Sequence, residues 1–170
     1  LLDHDNAPTM VELHVLPGYD PSDEAAALAA SGIGTRAGSH PSALSLEGRH
    51  SRDELSRLLA DRPGLIVQDG SVQRATEWLA EGAEGPLLDM CAAPGGKTVH
   101  LRALLPDDQA ITAMDLEAGR LGRLRENLAR TGVGSVLVTA ADGRLTPFTD
   151  GAFATVLLDG PCSGTGVLRH

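Results

Sequence analysis

Leu87-Leu88-Asp89-Met90-Cys91-Ala92-Ala93-Pro94-Gly95-Gly96-Lys97-Thr98 reads as a short apolar strand closed by an acid, then a glycine-rich turn, then a helix start. An open α/β sheet builds a nucleotide or cofactor crevice at its carboxyl edge in this way. Gly95 and Gly96 are expected to remove Cβ atoms where backbone approaches a ligand, with the helix beginning near Lys97 aiming its free N–H groups at it. An ordinary strand-turn-helix is the bland alternative.

Two ligand classes compete for such a turn. Cys91 to Thr98 matches a phosphate-cradling Gly-x-x-x-x-Gly-Lys-Thr loop everywhere but the first position. Cys91 replaces that glycine, and Pro94 has no N–H to offer a phosphate. The rival is a methyltransferase-type Rossmann sheet, whose turn wraps S-adenosylmethionine.

The downstream sequence favours the second. Ala110 to Met114 reads as a strand ending at Asp115, Gly119 to Arg130 as an amphipathic helix closed by Thr131-Gly132, Val136 to Thr139 as a third strand, and Ala154 to Leu158 as a fourth ending at Asp159. Strands alternating with helices predict a parallel sheet with right-handed crossovers. Asp89, Asp115, Asp142 and Asp159 then project to one edge. Asp115 is placed to accept from ribose hydroxyls and Asp142 from an adenine amino group, whereas that many carboxylates would repel a triphosphate. Taken singly, each acid reads equally well as a turn or helix cap.

Asp159-Gly160-Pro161-Cys162-Ser163-Gly164-Thr165-Gly166 is the second chemical signature. A cysteine on such a loop can face a substrate beside the cofactor. Carbon 5 of a pyrimidine is a poor nucleophile until a thiolate adds to carbon 6, and Cys162 is a candidate for that chemistry. A small buried apolar cysteine is the alternative.

Asp89 to Thr98 taken with Asp159 to Gly166 resembles the RsmB (Sun/Fmu) family of RNA cytosine-5 methyltransferases, and Gly64-Leu65-Ile66-Val67-Gln68-Asp69 resembles that family's lead-in to its catalytic domain. The resemblance implies a SAM loop over Cys91, Ala92, Ala93, Pro94, Gly95, Gly96 and Lys97, with Asp115 at the ribose, Asp142 near the adenine and Asp159 by the methionine end and target base. It implies transfer of a methyl group to carbon 5 of cytosine in RNA, ribosomal RNA being the expected substrate, through a cysteine-linked intermediate. The family's attacking thiolate comes from a later Thr-Cys motif, and the cysteine matching Cys162 releases product. Gly160 replaces the family's usual alanine.

The methyltransferase strand order is 3-2-1-4-5-7-6, and these residues supply strands 1–4. The chain opens on Leu1 and reaches His170 before any Thr-Cys motif, so a piece of a longer protein, inactive alone, is expected. The fold expectation is therefore α/β: an incomplete Rossmann-like methyltransferase sheet over 63–170, preceded by a small α+β unit over 1–62 resembling an RNA-recognition domain. In that unit Met10 to Val15 reads as a strand, Ser22 to Ala30 as a helix, Ala43 to Leu46 as a strand and Arg52 to Ala60 as a helix, with a boundary near Asp61 to Gly64.

A formal charge of −9 sits awkwardly with an RNA partner. Residues 1–85 carry 6 basic against 14 acidic side chains and residues 86–170 carry 8 against 9, so the front half holds most of the excess. Arg120, Arg123, Arg125 and Arg130 are expected on a solvated helix face, and Trp78 in packing. Two cysteines fit a reducing cytoplasm. The histidines lack zinc-site spacing, so no metal is expected, and no stretch reads as a membrane span. A P-loop-like nucleotide hydrolase and a non-catalytic RNA-binding or assembly factor remain as alternatives.

Overall fold

The computed structural model describes residues 10–145 and 147–160. The first part is a βαββαβ unit: β1 Glu12–Val15, α1 Pro21–Ala30, β2 Thr35–Ala37, β3 Ala43–Leu46, α2 Arg52–Ala60 and β4 Leu65–Val67. Its strands form an antiparallel sheet in the order β2-β3-β1-β4. Local chemistry sets the helix starts. Asp20 accepts from Ser22 and Asp23 N–H groups ahead of Pro21, and Ser51 and Glu54 make a reciprocal capping box. Alternation along β1 sends Leu13 and Val15 into a core with Leu28, Leu44, Leu46, Leu59 and Leu65.

Two strands of this unit escape the sequence reading. β2 is three residues with little apolar content. β4 lies past the expected 62/63 boundary, yet pairs with β1 through Leu13–Val67, His14–Ile66 and Val15–Leu65. The first sheet therefore extends to Val67.

Next come α3 Gly70–Gly82, β5 Leu87–Asp89, α4 Gly96–Leu104, β6 Ile111–Asp115, α5 Leu121–Thr131, β7 Leu137–Ala140 and β8 Thr155–Leu157. The second sheet is parallel, in the order β7-β6-β5-β8, matching the expected 3-2-1-4. Leu87, Leu101, Leu105 and Ile111 make one core with Leu79 and Ala80 of α3, while Ala92, Ala113 and Leu124 make another. Gly132 ends α5 in the left-handed conformation at φ 64°.

The two sheets dock. Leu16 and Ile66 pack against Val99 of α4, and the His14 ring lies 4.0 Å from that of His100, centroid to centroid. Trp78, expected in packing, is instead 76% exposed. The buried face of α3 carries Gln73 and Thr76, and residue 78 is turned well away from it at 100° per residue.

Candidate cofactor cleft

The carboxyl ends of β5, β6 and β8 open into a cleft of about 820 Å³. Asp89, Asp115, Asp142 and Asp159 all border it, as do Cys91, Ala92, Ala93, Pro94, Gly96 and Lys97. Gly95 does not. Its φ is 104°, and a Cβ there would stand 3.0 Å from Leu124 Cγ and 3.1 Å from Leu124 Cα. This glycine lets α5 pack against the loop and takes a backbone conformation that side chains disfavour. Cys162 lies outside the described residues.

Strand β5 delivers Asp89 to the cleft floor almost fully buried, where Thr98 Oγ1 donates to it at 2.7 Å. Burial pushes its pKa up to about 6, against the opposing pull of the Thr98 hydrogen bond and the Lys97 charge. Asp115, at the end of β6, braces the loop. One of its oxygens accepts from Ala93 N at 3.2 Å and the other from Glu117 N at 3.1 Å, while Arg120 Nη1 stands 3.5 Å away. Each carboxylate oxygen has a second lone pair, so capacity for a ligand hydroxyl is retained. Asp142 accepts from the backbone and guanidinium of Arg144, whose hydrogen bonds lower its pKa to about 2. Lys97 pairs with Asp159. The Cys91 thiol has its pKa raised by burial and by the surrounding Asp115, Asp89 and Asp159 carboxylates.

Several contributors are absent from the sequence reading. Arg120 donates to Ala93 O at 3.0 Å and Asn127 Nδ2 to Pro94 O at 3.1 Å. Thus α5 clamps the loop from outside, and Arg120 is not merely solvated. Only their position on the helix after the acid-terminated strand could have marked them. Val67, Gln68 and Asp69 add a wall from the end of the first sheet, a role that the sequence of Gly64–Asp69 does not announce.

The face of the first sheet opposite its helices is largely taken up by this docking. RNA-recognition domains stack bases there on strand aromatics. Here His14 of β1 donates from Nδ1 to Gln73 Oε1 at 2.8 Å and packs against His100 with the two rings tilted by 46°, and Glu12 Oε2 accepts from Gly70 N at 2.8 Å.

Residues 76–170 match the family model described as 16S rRNA methyltransferase RsmB/F. Over 108 residues, 62% of this chain, the sequence is 49% identical to a ribosomal RNA small subunit methyltransferase B of Pseudomonas syringae pv. tomato and 44% identical to that of Shigella boydii serotype 18. These alignments take in 24% and 25% of the relatives, so the matched segment spans about a quarter of their length. Among solved structures, PH0851 superposes with a TM-score of 0.82 at 26% identity over 98% of this chain and 40% of its own. A methyltransferase homolog protein from Pyrococcus horikoshii gives a TM-score of 0.70 at 24% identity, covering 98% of this chain and 55% of that one, which speaks to the fold alone. Fold, strand-end acids and a model match over more than half the residues agree: the chain belongs to the RsmB/F methyltransferase family, of which it holds a part.

Proposed function

We propose that this chain carries the cofactor-binding part of a SAM-dependent RNA methyltransferase acting on ribosomal RNA, with carbon 5 of cytosine as the acceptor. The charge of the cleft carries the reading. Six acids border it against three bases, Lys97, Arg120 and Arg144, and each base already faces a carboxylate. Asp69, Asp89 and Glu117 are left over, and the lining also carries apolar residues such as Val72 and Leu116. A cationic sulfonium with an apolar adenosyl body fits such a lining, and a triphosphate does not.

Asp115 and Asp142 would hold the ribose and adenine, and Asp89 with the Lys97–Asp159 pair would meet the amino-acid end. When bound, SAM supplies an electrophilic methyl group. The chain's own share is to bind and orient it, with the α5 clamp on Ala93 and Pro94 keeping the loop in register. The finer step, addition of a cysteine thiolate to carbon 6 to make carbon 5 nucleophilic, follows from the family resemblance, which assigns product release to Cys162. Soluble cytoplasmic action on RNA belongs to the same proposal.

The P-loop alternative fares worse on one contact. In such loops the hydroxyl after the lysine serves a magnesium ion, whereas Thr98 here donates to Asp89. Titration calorimetry separates them: S-adenosylhomocysteine binding in EDTA supports the proposal, and magnesium-dependent ATP binding in its place refutes it. Retained SAM binding with no methyl transfer in a chain extended through a downstream Thr-Cys segment would instead favour an assembly factor.

A further inference from the structure

Arg130 stands on the last turn of α5, but its guanidinium reaches the small unit. Nη1 donates to three backbone carbonyls there: Leu59 O at 3.3 Å, Arg62 O at 2.7 Å and Leu65 O at 2.8 Å. Nη2 donates to Asn127 Oδ1 at 3.3 Å, which fixes the plane of the fork. The Leu59 and Arg62 carbonyls lie at and just past the end of α2, where helical partners run out, and Leu65 opens β4. Burial pulls the Arg130 pKa down from its ordinary value. Among the described residues no carboxylate pairs with it, so the contact is charge against carbonyl dipoles at one fixed place.

The cleft wall begins two residues beyond Leu65. Val67, Gln68, Asp69 and Val72 all border the cleft. A Cβ on Gly96 would lie 3.5 Å from Val67 O, which brings this wall against the cofactor loop. Gln68 N donates to Glu12 O at 3.1 Å, and the Asp69 carboxylate is used in capping α3 at Ser71. The wall therefore moves only with the sheet that bears it, and Arg130 grips that sheet at the turn leading into β4.

We propose that Arg130 is a positioning residue, which by holding the α2–β4 turn sets Val67–Asp69 as one side of the cofactor cleft and so makes the small unit part of the cofactor site. This rests on the reading of the cleft as a SAM site. A tethered RNA-gripping appendage would need no such grip on its exit turn.

The test titrates S-adenosylhomocysteine calorimetrically into the 170-residue chain and follows amide exchange on the same samples. Arg130→Met keeps the apolar stem and removes every donor. It is expected to weaken binding about tenfold, within the range for residues coupled to a site without touching its ligand, and to speed exchange at Gln68 and Gly70. Arg130→Lys should recover part of both. Leu28→Ala opens a cavity in the small unit's own core; it should lower the melting temperature yet leave affinity within about twofold. Wild-type affinity in Arg130→Met would overturn the proposal, as would an equal loss in Leu28→Ala, since that marks general loosening. If the wild-type chain fails to bind the ligand, the cofactor reading falls by itself, and unchanged exchange at Gln68 and Gly70 in Arg130→Met would separately refute the grip.

Discussion

The antiparallel sheet is covered by α1 and α2 on one side and, over β1 and β4, by α3 and α4 on the other, whereas the parallel sheet leaves the carboxyl ends of its strands open. Among the described residues both are four strands wide. They differ in where their polar groups go. In the first sheet polar side chains are spent on docking: Glu12 on Gly70, His14 on Gln73 and His100. In the second they are carried to strand ends, where connections leave a crevice. A sheet with its inner face used up acts as scaffold, and a sheet with open ends acts as a site.

The sharpest way to break this contrast is to spoil the joint that shapes the open end. Gly95→Ala forces a side chain into a φ of 104° and brings its Cβ to 3.0 Å from Leu124. Backbone strain and overpacking together should remove about 3–4 kcal/mol of stability, read as a lower urea midpoint. A Gly95→Ala chain of wild-type stability would refute the packing role.

Acid tests the covered face. Burial drives His14 down to about 4 and His100 to about 3, and three of their four ring nitrogens have no partner among the described residues. As the pH falls below about 6.5 the unfolded chain takes up protons that the folded chain refuses, so stability drops until the folded values are reached. Two such groups cost about 4 kcal/mol at pH 5. Asp89 works the other way. Its folded value of about 6 lies above the ordinary aspartate value of 3.8, so acidification towards pH 5 returns about 1.4 kcal/mol. The net expectation is a loss of about 2–3 kcal/mol between pH 7 and pH 5, measured by urea unfolding at both. His14→Gln combined with His100→Leu should reverse the profile, leaving the Asp89 gain of about 1.4 kcal/mol on going to pH 5. An unchanged slope in that double variant would show that the junction does not sense acid.

The open end was more legible in the sequence than the covered face. Strand-terminal acids and a glycine-rich turn are local signals, and Asp89, Asp115, Asp142 and Asp159 do meet at one cleft. Docking leaves no such trace. Nothing local in Arg130 separates it from the solvent-facing Arg123, since the carbonyls it serves are 65 to 71 residues away. For the same reason β4 was hidden: its three residues belong with β1, fifty residues earlier, and their register cannot be read from a short apolar run. The motif marks Gly95 as part of the loop but gives no sign of Leu124, on a later helix, which packs against it.

Asp115 offers a smaller and more local test of the open end. Asp115→Ala removes the acceptor for Ala93 N and Glu117 N and the proposed ribose partner. S-adenosylhomocysteine binding should weaken by about 2 kcal/mol, as for a lost charged hydrogen-bond partner. Asp115→Asn keeps an acceptor and should recover part of the loss. Equal binding by all three chains would remove Asp115 from the site.

The smallest effect separates charge from shape at the cleft floor. Asp89 titrates at about 6 because it is buried, so between pH 7.5 and pH 5.5 it passes from mainly ionised to mainly protonated. Asp142, with its value of about 2, stays ionised over that window. S-adenosylmethionine bears a sulfonium charge that S-adenosylhomocysteine lacks, and the two otherwise share adenosine and amino-acid groups. Binding a cation favours the ionised form of Asp89, so affinity for S-adenosylmethionine should fall more on acidification, by up to about fourfold relative to S-adenosylhomocysteine. Loosening of the His14–His100 junction over the same range would weaken both ligands alike and cancels in the ratio. A ratio constant from pH 7.5 to pH 5.5 would mean that Asp89 does not sense the sulfonium, leaving it the structural task of holding Thr98 at the start of α4.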